Sequence, residues 1–252
     1  MNFVKAEGLG NDFIVVPEPL RATPERIAAW CEPKTGIGAD GVLEITPVDG
    51  SSVAMRYWNA DGGAAEMCGN GLRCVALIAV DLGLVAGPTL TVHSAVGEHP
   101  ATVLPGGIVR AFVGEPHAFR TEELAVAGHR VRPVGVGNPH AVLFVDDVPG
   151  ADVAGIGAAI EQDPIFPEGT NVEFVEVEEG NRISVRVWER GVGETMASGT
   201  GATAAAFAAR ATRELDEAIT VVLPGGELLI EFDAAGAWMT GPATIVFRGS
   251  VD

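Results

Sequence analysis

The strongest constraint on this chain is that it repeats itself. Arg56-Tyr57-Trp58 recurs as Arg186-Val187-Trp188 at an offset of 130 residues. The match then runs on without a gap: Gly63 falls on Gly193, Cys68 on Ser198, Gly69 on Gly199, Gly71 on Gly201 and Ala76 on Ala206. Gly8-Leu9-Gly10-Asn11 resembles Gly135-Val136-Gly137-Asn138 at an offset of 127, and Leu90-Thr91-Val92 resembles Ile219-Thr220-Val221 at 129. Matches in one order at nearly constant spacing mark a supersecondary unit written twice. Strands and glycine turns resemble one another in any protein, but that does not account for both tryptophans falling in the gapless stretch. The reading is therefore two halves related by a pseudo-twofold axis. The N-terminal half covers residues 1–113, with the segment 241–252 packing back onto it, and the C-terminal half covers 114–240.

Within each half the pattern is mostly strand. Phe13–Val16, Val53–Trp58, Thr89–Val92, Ala141–Val145, Asn171–Val175 and Ile183–Trp188 are β-branched, and several alternate apolar and polar residues. That alternation fits half-buried antiparallel strands. Pro105-Gly106-Gly107 and Pro224-Gly225-Gly226 read as hairpin turns. Thr23-Pro24-Glu25 reads as an N-cap with proline at the first helical position, in a helix ended by Pro33. Asp152 is expected to cap a helix running to about Glu161. Two further helices follow Gly71 (Leu72–Val80) and Gly201 (Ala202–Ala209), and both are apolar almost all round, as a helix buried on every side would be. The fold class is α+β: two domains, each a mainly antiparallel sheet wrapped round a buried central helix.

The net charge is −18 over 252 residues. Such a chain repels a phosphate backbone, which argues against nucleic-acid binding. No apolar run reaches membrane-spanning length, and Met1-Asn2-Phe3-Val4-Lys5 lacks the character of a signal peptide, so the expected location is the cytoplasm. Cys31, Cys68 and Cys74 are odd in number and wrongly spaced for a structural zinc site, so they read as thiols.

The matched helix starts carry the chemistry. A helix N-terminus offers unpaired N–H groups and partial positive charge, and glycines let a ligand approach closely. If the halves face each other, two such termini bind one carboxylate from both sides. A cysteine at such a terminus is favoured as thiolate. Groups on opposite faces of a bound α-carbon can remove a proton from one side and return one to the other, which is racemisation or epimerisation, while the clamped carboxylate stabilises the developing enolate-like charge. No cofactor is needed, and neither a dinucleotide fingerprint nor a phosphate-binding loop is present. Ser198 alone reads as an ordinary N-cap. Cys68, inside a duplicated glycine-rich helix start, reads as functional, and Cys31 and Cys74 read as core.

These residues resemble a known family. Asn59-Ala60-Asp61-Gly62 followed by Cys68-Gly69-Asn70-Gly71 resembles the first catalytic motif of the diaminopimelate epimerases. Glu189-Arg190-Gly191-Val192-Gly193-Glu194-Thr195, leading into Ser198-Gly199-Thr200-Gly201, resembles the second. Gly8–Phe13, Gly36–Asp40 and Gly137–His140 match as well, and the similarity runs from about residue 3 to about residue 249. Proline-type racemases share the fold but usually carry another residue where this chain has Asn70. The resemblance implies cofactor-independent interconversion of LL- and meso-diaminopimelate in lysine and cell-wall biosynthesis, commonly by a homodimer. It implies that Asn11, Asn59, Asn138 and Asn171 bind the substrate ammonium and carboxylate groups. Arg190 would pair with the distal carboxylate and Glu189 with an ammonium. The backbone N–H groups of Gly69, Asn70, Gly199 and Thr200 would clamp the reacting carboxylate. It also implies that His140 tunes the first thiol. Taken singly, each asparagine reads as a turn residue and Glu189–Arg190 as a solvated pair.

The family has two catalytic cysteines. Cys68 is the first, but the second position is Ser198, a far weaker acid. Three explanations stand open: an engineered change, a natural member using serine, or loss of epimerase activity. Gly41 also departs, since many relatives have glutamine there. The alternatives to a diaminopimelate epimerase are a racemase or dehydratase of another amino acid on the same fold, and a silent amino-acid binding protein. A thiol hydrolase built on Cys68 and His140 leaves the duplication unexplained.

Overall fold

The computed structural model describes residues 1–120, 122–213 and 215–251. The chain divides into two compact units, Met1–Phe112 with Thr240–Asp252, and Val113–Met239. Asp252 itself lies outside the described residues.

The first unit begins with β1 (Asn2–Gly8) and β2 (Asn11–Val16), then α1 (Pro24–Cys31), β3 (Gly41–Asp49), β4 (Ser52–Asn59), the short β5 (Ala64–Ala65), α2 (Gly69–Asp81), β6 (Thr89–Ser94), β7 (Gly97–Leu104) and β8 (Ile108–Gly114). Thr23 caps α1, its hydroxyl accepting from Arg26 N–H at 3.4 Å. Pro105–Gly107 turns β7 into β8. Helix α2 packs against β1, β2, β3, β4, β6 and β7. A nearly all-apolar helix demands such a wrap, because it has no face to give to water.

The second unit contains β9 (His117–Ala118), β10 (Leu124–Val126), β11 (His129–Gly135), β12 (Pro139–Phe144), α3 (Val153–Glu161), β13 (Asn171–Glu178), β14 (Arg182–Glu189), β15 (Gly193–Thr195), α4 (Gly199–Arg213), β16 (Ala218–Leu223) and β17 (Gly226–Phe232). Asp152 caps α3 by accepting from Gly155 N–H at 3.0 Å. Helix α4 is built largely of alanine and glycine and lies against β11, β12, β13, β14, β16 and β17. It is longer than the segment expected from sequence, reaching Arg213. The chain ends with β18 (Ala237–Pro242) and β19 (Thr244–Ser250), and β19 pairs antiparallel with β1 in the first unit.

Antiparallel hairpins dominate both units, as expected, but among the described residues each also contains two parallel pairs. These are β2–β3 and β4–β6 in the first unit, and β12–β13 and β14–β16 in the second. The reason is connectivity: parallel neighbours need a crossover, usually a helix. The four helices α1, α2, α3 and α4 lie in the four intervals between these partners. Alternation within a strand does not record which neighbour it will take, so the sequence reading missed these pairs. No helix among the described residues is long and apolar enough to cross a membrane.

Candidate active site

In the first unit the site is assembled by a two-residue turn. Gly8 pairs with Asn11 across Leu9-Gly10, whose φ angles are 59° and 82°. Both positive values belong to a tight hairpin that follows the twist of its strands. Leu9 is an unusual residue for this conformation, and its side chain is buried. The turn fixes Asn11, and Asp40 orients it: Asp40 Oδ2 accepts from Asn11 Nδ2 at 2.7 Å and from Asp12 N–H at 3.0 Å. The carbonyl end of Asn11 is thereby turned to α2, where Oδ1 lies 3.3 Å from Asn70 Nδ2 and 3.8 Å from Cys68 Sγ.

Cys68 is the N-cap of α2. It has extended backbone angles, and its sulfur accepts from Gly71 N–H at 3.4 Å. Gly71 is tight: a Cβ there would come 3.1 Å from Leu43. Asn59 closes β4 and enters a turn in which its N–H bonds Gly63 O and its carbonyl accepts from Gly62 N–H, both at 2.9 Å. It pairs with Gly41 on β3. A side chain at Gly41 would collide with Trp58 O at 2.5 Å and the Tyr57 ring at 2.6 Å. The ring of Tyr57 therefore fills the space that a residue with a side chain would need at position 41.

In the second unit Ser198 is buried at the head of α4 and accepts from Gly201 N–H at 3.2 Å. This is the capping bond expected of a serine, and it is the bond that Cys68 makes with Gly71. Asn138 Oδ1 lies 2.8 Å from His140 Nε2. Asn171 is spent largely on the backbone: Oδ1 accepts from Arg190 N–H and Nδ2 donates to Pro139 O, both at 3.0 Å. Arg190 Nη1 donates to Glu168 O at 3.1 Å, and Glu189 accepts from the Thr195 hydroxyl at 2.7 Å. Glu161 of α3 holds this loop by accepting from Trp188 Nε1 at 2.6 Å and Gly191 N–H at 2.9 Å.

Two fully buried ionisable residues beside the helix starts, Glu173 and Arg73, escaped the sequence reading. Glu173 is fully buried, and its Oε1 lies 2.7 Å from His140 Nδ1, also fully buried. A Cβ on Gly201 would lie 2.9 Å from the same carboxylate oxygen, so Glu173 sits against the first turn of α4. Burial raises its pKa, while His140 opposes that rise. His140 thus belongs to the unit that carries Ser198, and its direct partners are Glu173 and Asn138. Glu173 lies within the run Asn171–Val175, whose pattern gives no sign that α4 and α3 both pack on β13. Arg73 of α2 is likewise fully buried, and its Nε donates to Pro242 O at 3.0 Å. A lone arginine in an otherwise apolar helix was the available signal. Cys31 and Cys74 are core residues, as expected, and burial pushes their thiols up to about 11 and about 12.

This arrangement can be set beside known proteins. The family model for diaminopimelate epimerase matches residues 3–117 and 133–246. The diaminopimelate epimerase of Moorella thermoacetica is 42% identical over 99% of this chain and 98% of that protein. That of Thioalkalivibrio sulfidiphilus is 41% identical over 100% of this chain and 99% of its own length. Among solved structures, a hydroxyproline epimerase from Agrobacterium vitis superposes with a TM-score of 0.78 at 14% identity, covering 100% of this chain and 90% of that one. A probable proline racemase from Agrobacterium radiobacter superposes with a TM-score of 0.75 at 16% identity, covering 100% and 92%. At such identities the structural likeness speaks for the α+β fold alone. With the motifs, the family match and full-length relatives above 40% identity in agreement, this chain belongs to the diaminopimelate epimerase family.

Proposed function

We propose that this chain is an isomerase interconverting LL- and meso-diaminopimelate without a cofactor, by removing the α-proton and returning one to the opposite side. The observation that carries the reading is the setting of Cys68. Its sulfur caps a buried helix, takes an N–H from Gly71 and faces the carbonyl of Asn11. As a thiol it can donate to Asn11 Oδ1. As a thiolate it keeps the Gly71 N–H, a bond that strengthens when the acceptor is charged. One group thus has partners in both states that an acid/base must visit.

The duplication, with its pseudo-twofold relation between residues 1–113 and 114–240, makes Ser198 the second acid/base position. Its Oγ takes Gly201 N–H just as the sulfur takes Gly71 N–H, but an alcohol is a much weaker acid than a thiol. Inversion through this position is therefore slow. The backbone N–H groups of Gly69, Asn70, Gly199 and Thr200 clamp the reacting carboxylate. Asn11, Asn59, Asn138 and Asn171 bind the remaining polar groups, Asn171 while also pinning the Arg190 backbone. Arg190 pairs with the distal carboxylate and Glu189 with an ammonium. His140, held between Glu173 and Asn138, fixes the Asn138 amide so that its NH2 faces substrate. We place the enzyme in the cytoplasm, in lysine biosynthesis, as a homodimer.

Exchange of the α-proton for deuterium, followed by NMR with LL- and meso-diaminopimelate, tests this reading. The parent chain is expected to exchange, and Ser198→Cys is expected to raise inversion by about a hundredfold or more, the usual contribution of a positioned acid/base. Absence of exchange in both proteins would sink the proposal. Exchange without inversion in the parent would show Cys68 working alone. Preference for an amino acid with no distal carboxylate would remove the role given to Arg190.

A further inference from the structure

We propose that the buried guanidinium of Arg73 is a positioning residue that holds Cys68 in its thiolate form. The inference rests on reading Cys68 as an acid/base. Arg73 heads the fully buried side chains by size among the described residues, and a large apolar cluster that includes Leu43, Leu72, Val75 and Ile78 packs around α2. A buried charge is costly unless it is paired and hydrogen-bonded, and Arg73 has Pro242 O as one such partner.

Its location is defined by Gly8. A Cβ on Gly8 would come 2.9 Å from Arg73 Nη2 and 3.5 Å from Asn70 O, so the guanidinium lies beside the first turn of α2. That direction is the one long helical side chains take, back towards the helix N-terminus. Gly8 is the strand partner of Asn11, whose Oδ1 faces Cys68 Sγ. Arg73, Gly8, Asn11 and Cys68 therefore form one run of neighbours under the cap. Burial pulls the Arg73 guanidinium down, and the ionisable groups that oppose this are Cys74, then Cys68, of its own helix and Glu7 of β1. Glu7 is engaged by Gly10 N–H at 3.0 Å, and the other charges of β1 and β2, Lys5 and Asp12, pair with each other at 2.6 Å. Of the two thiols, Cys74 is pushed up to about 12 by burial and stays protonated. Cys68 is the thiol that the cation can serve.

A purely structural reading would have Arg73 only tie the C-terminal segment to α2 through Pro242 O. The second unit argues against that as the whole account. The residue 130 positions on is Thr203, whose hydroxyl bonds Gly199 O at 2.8 Å. The matched helix start thus has no arginine at this position and carries an alcohol in place of a thiol; the ionisable pair packed there is His140 and Glu173, 2.7 Å apart.

The test is the pH dependence of Cys68 alkylation by iodoacetamide, located by peptide mass mapping, in the full chain without substrate. The wild-type midpoint is expected below the ordinary thiol value of about 8.5. R73K, which keeps the charge, should stay near the wild-type midpoint. R73Q should move it up by about one pH unit, a tenfold loss of thiolate below the midpoint. Circular dichroism establishes that the variants are folded. A wild-type midpoint at or above about 8.5, or a folded R73Q with the wild-type midpoint, overturns the proposal. Should R73Q not fold, a shift of a unit or more in R73K overturns it too. Failure of the epimerase reading is separate: it appears as absent α-proton exchange in a protein whose Cys68 midpoints behave as stated.

Discussion

Burial sorts the three thiols at the scale of single residues. Cys74 and Cys31 lie in the core, where desolvation lifts them to about 12 and about 11, while Cys68 is partly exposed at its helix cap. Only the thiolate reacts. Native protein at pH 8 is therefore expected to lose one thiol of three to a small alkylating agent, at Cys68, with the other two reacting only after unfolding. Fast modification of Cys31 or Cys74 in folded protein would contradict this. Cys68 and its motif could be picked out by eye. Glu173 could not, because its neighbours Val172 and Phe174 alternate with it as they would on a half-exposed strand. Its burial follows from a second helix on the same sheet.

Helices and turns show why glycines dominate the motifs. Gly36 follows α1, and a Cβ there would sit 2.2 Å from Ala29 O and 2.6 Å from Trp30 O. Both atoms are backbone and cannot swing aside. The same short segment makes the bonds Ile37 N–H to Trp30 O at 2.8 Å and Ala39 N–H to Cys31 O at 3.1 Å. Those bonds deliver Asp40 to Asn11. Gly36→Ala is expected to destabilise the protein by about 3 kcal/mol through overpacking, read by urea denaturation. Because Asp40 orients Asn11, the folded fraction should also lose α-proton exchange. A variant as stable as its parent would show that the segment gives way more readily than its contacts imply. The motif Gly36-Ile37-Gly38-Ala39-Asp40 was legible as a match, but its work of aiming an asparagine was not.

For the whole molecule, pH acts through buried groups. His99 is buried, with Nδ1 3.0 Å from Phe112 O and Nε2 2.8 Å from Ser94 Oγ, a setting that suits the neutral ring. Desolvation lowers its pKa below the ordinary imidazole value of 6.5. The unfolded chain then takes up a proton, as pH falls past 6.5, that the folded chain refuses. Its contribution to stability is present above that pH and is lost as pH falls through the lowered value. The melting temperature is expected to fall as pH drops below about 6.5, and less steeply in His99→Gln. Equal slopes in the two proteins would remove His99 from the account. Comparing variant with parent also cancels the opposite trend of Glu173, whose raised pKa costs stability as pH rises.

The sequence by itself determined six of the strands (β2, β4, β6, β12, β13 and β14), the caps at Thr23 and Asp152, the buried character of α2 and α4, and the family. All of these follow from local spacing, composition and repetition along the chain. Tertiary structure decided which strands run parallel, since a crossover through a helix leaves no trace in the alternation of either strand. It decided that Arg73 and Glu173 are buried against the helix starts, because burial is set by what packs on a segment from elsewhere in the chain. The same packing makes Cys68 the thiol with a cation beneath it and leaves Ser198 capping a helix beside a carboxylate.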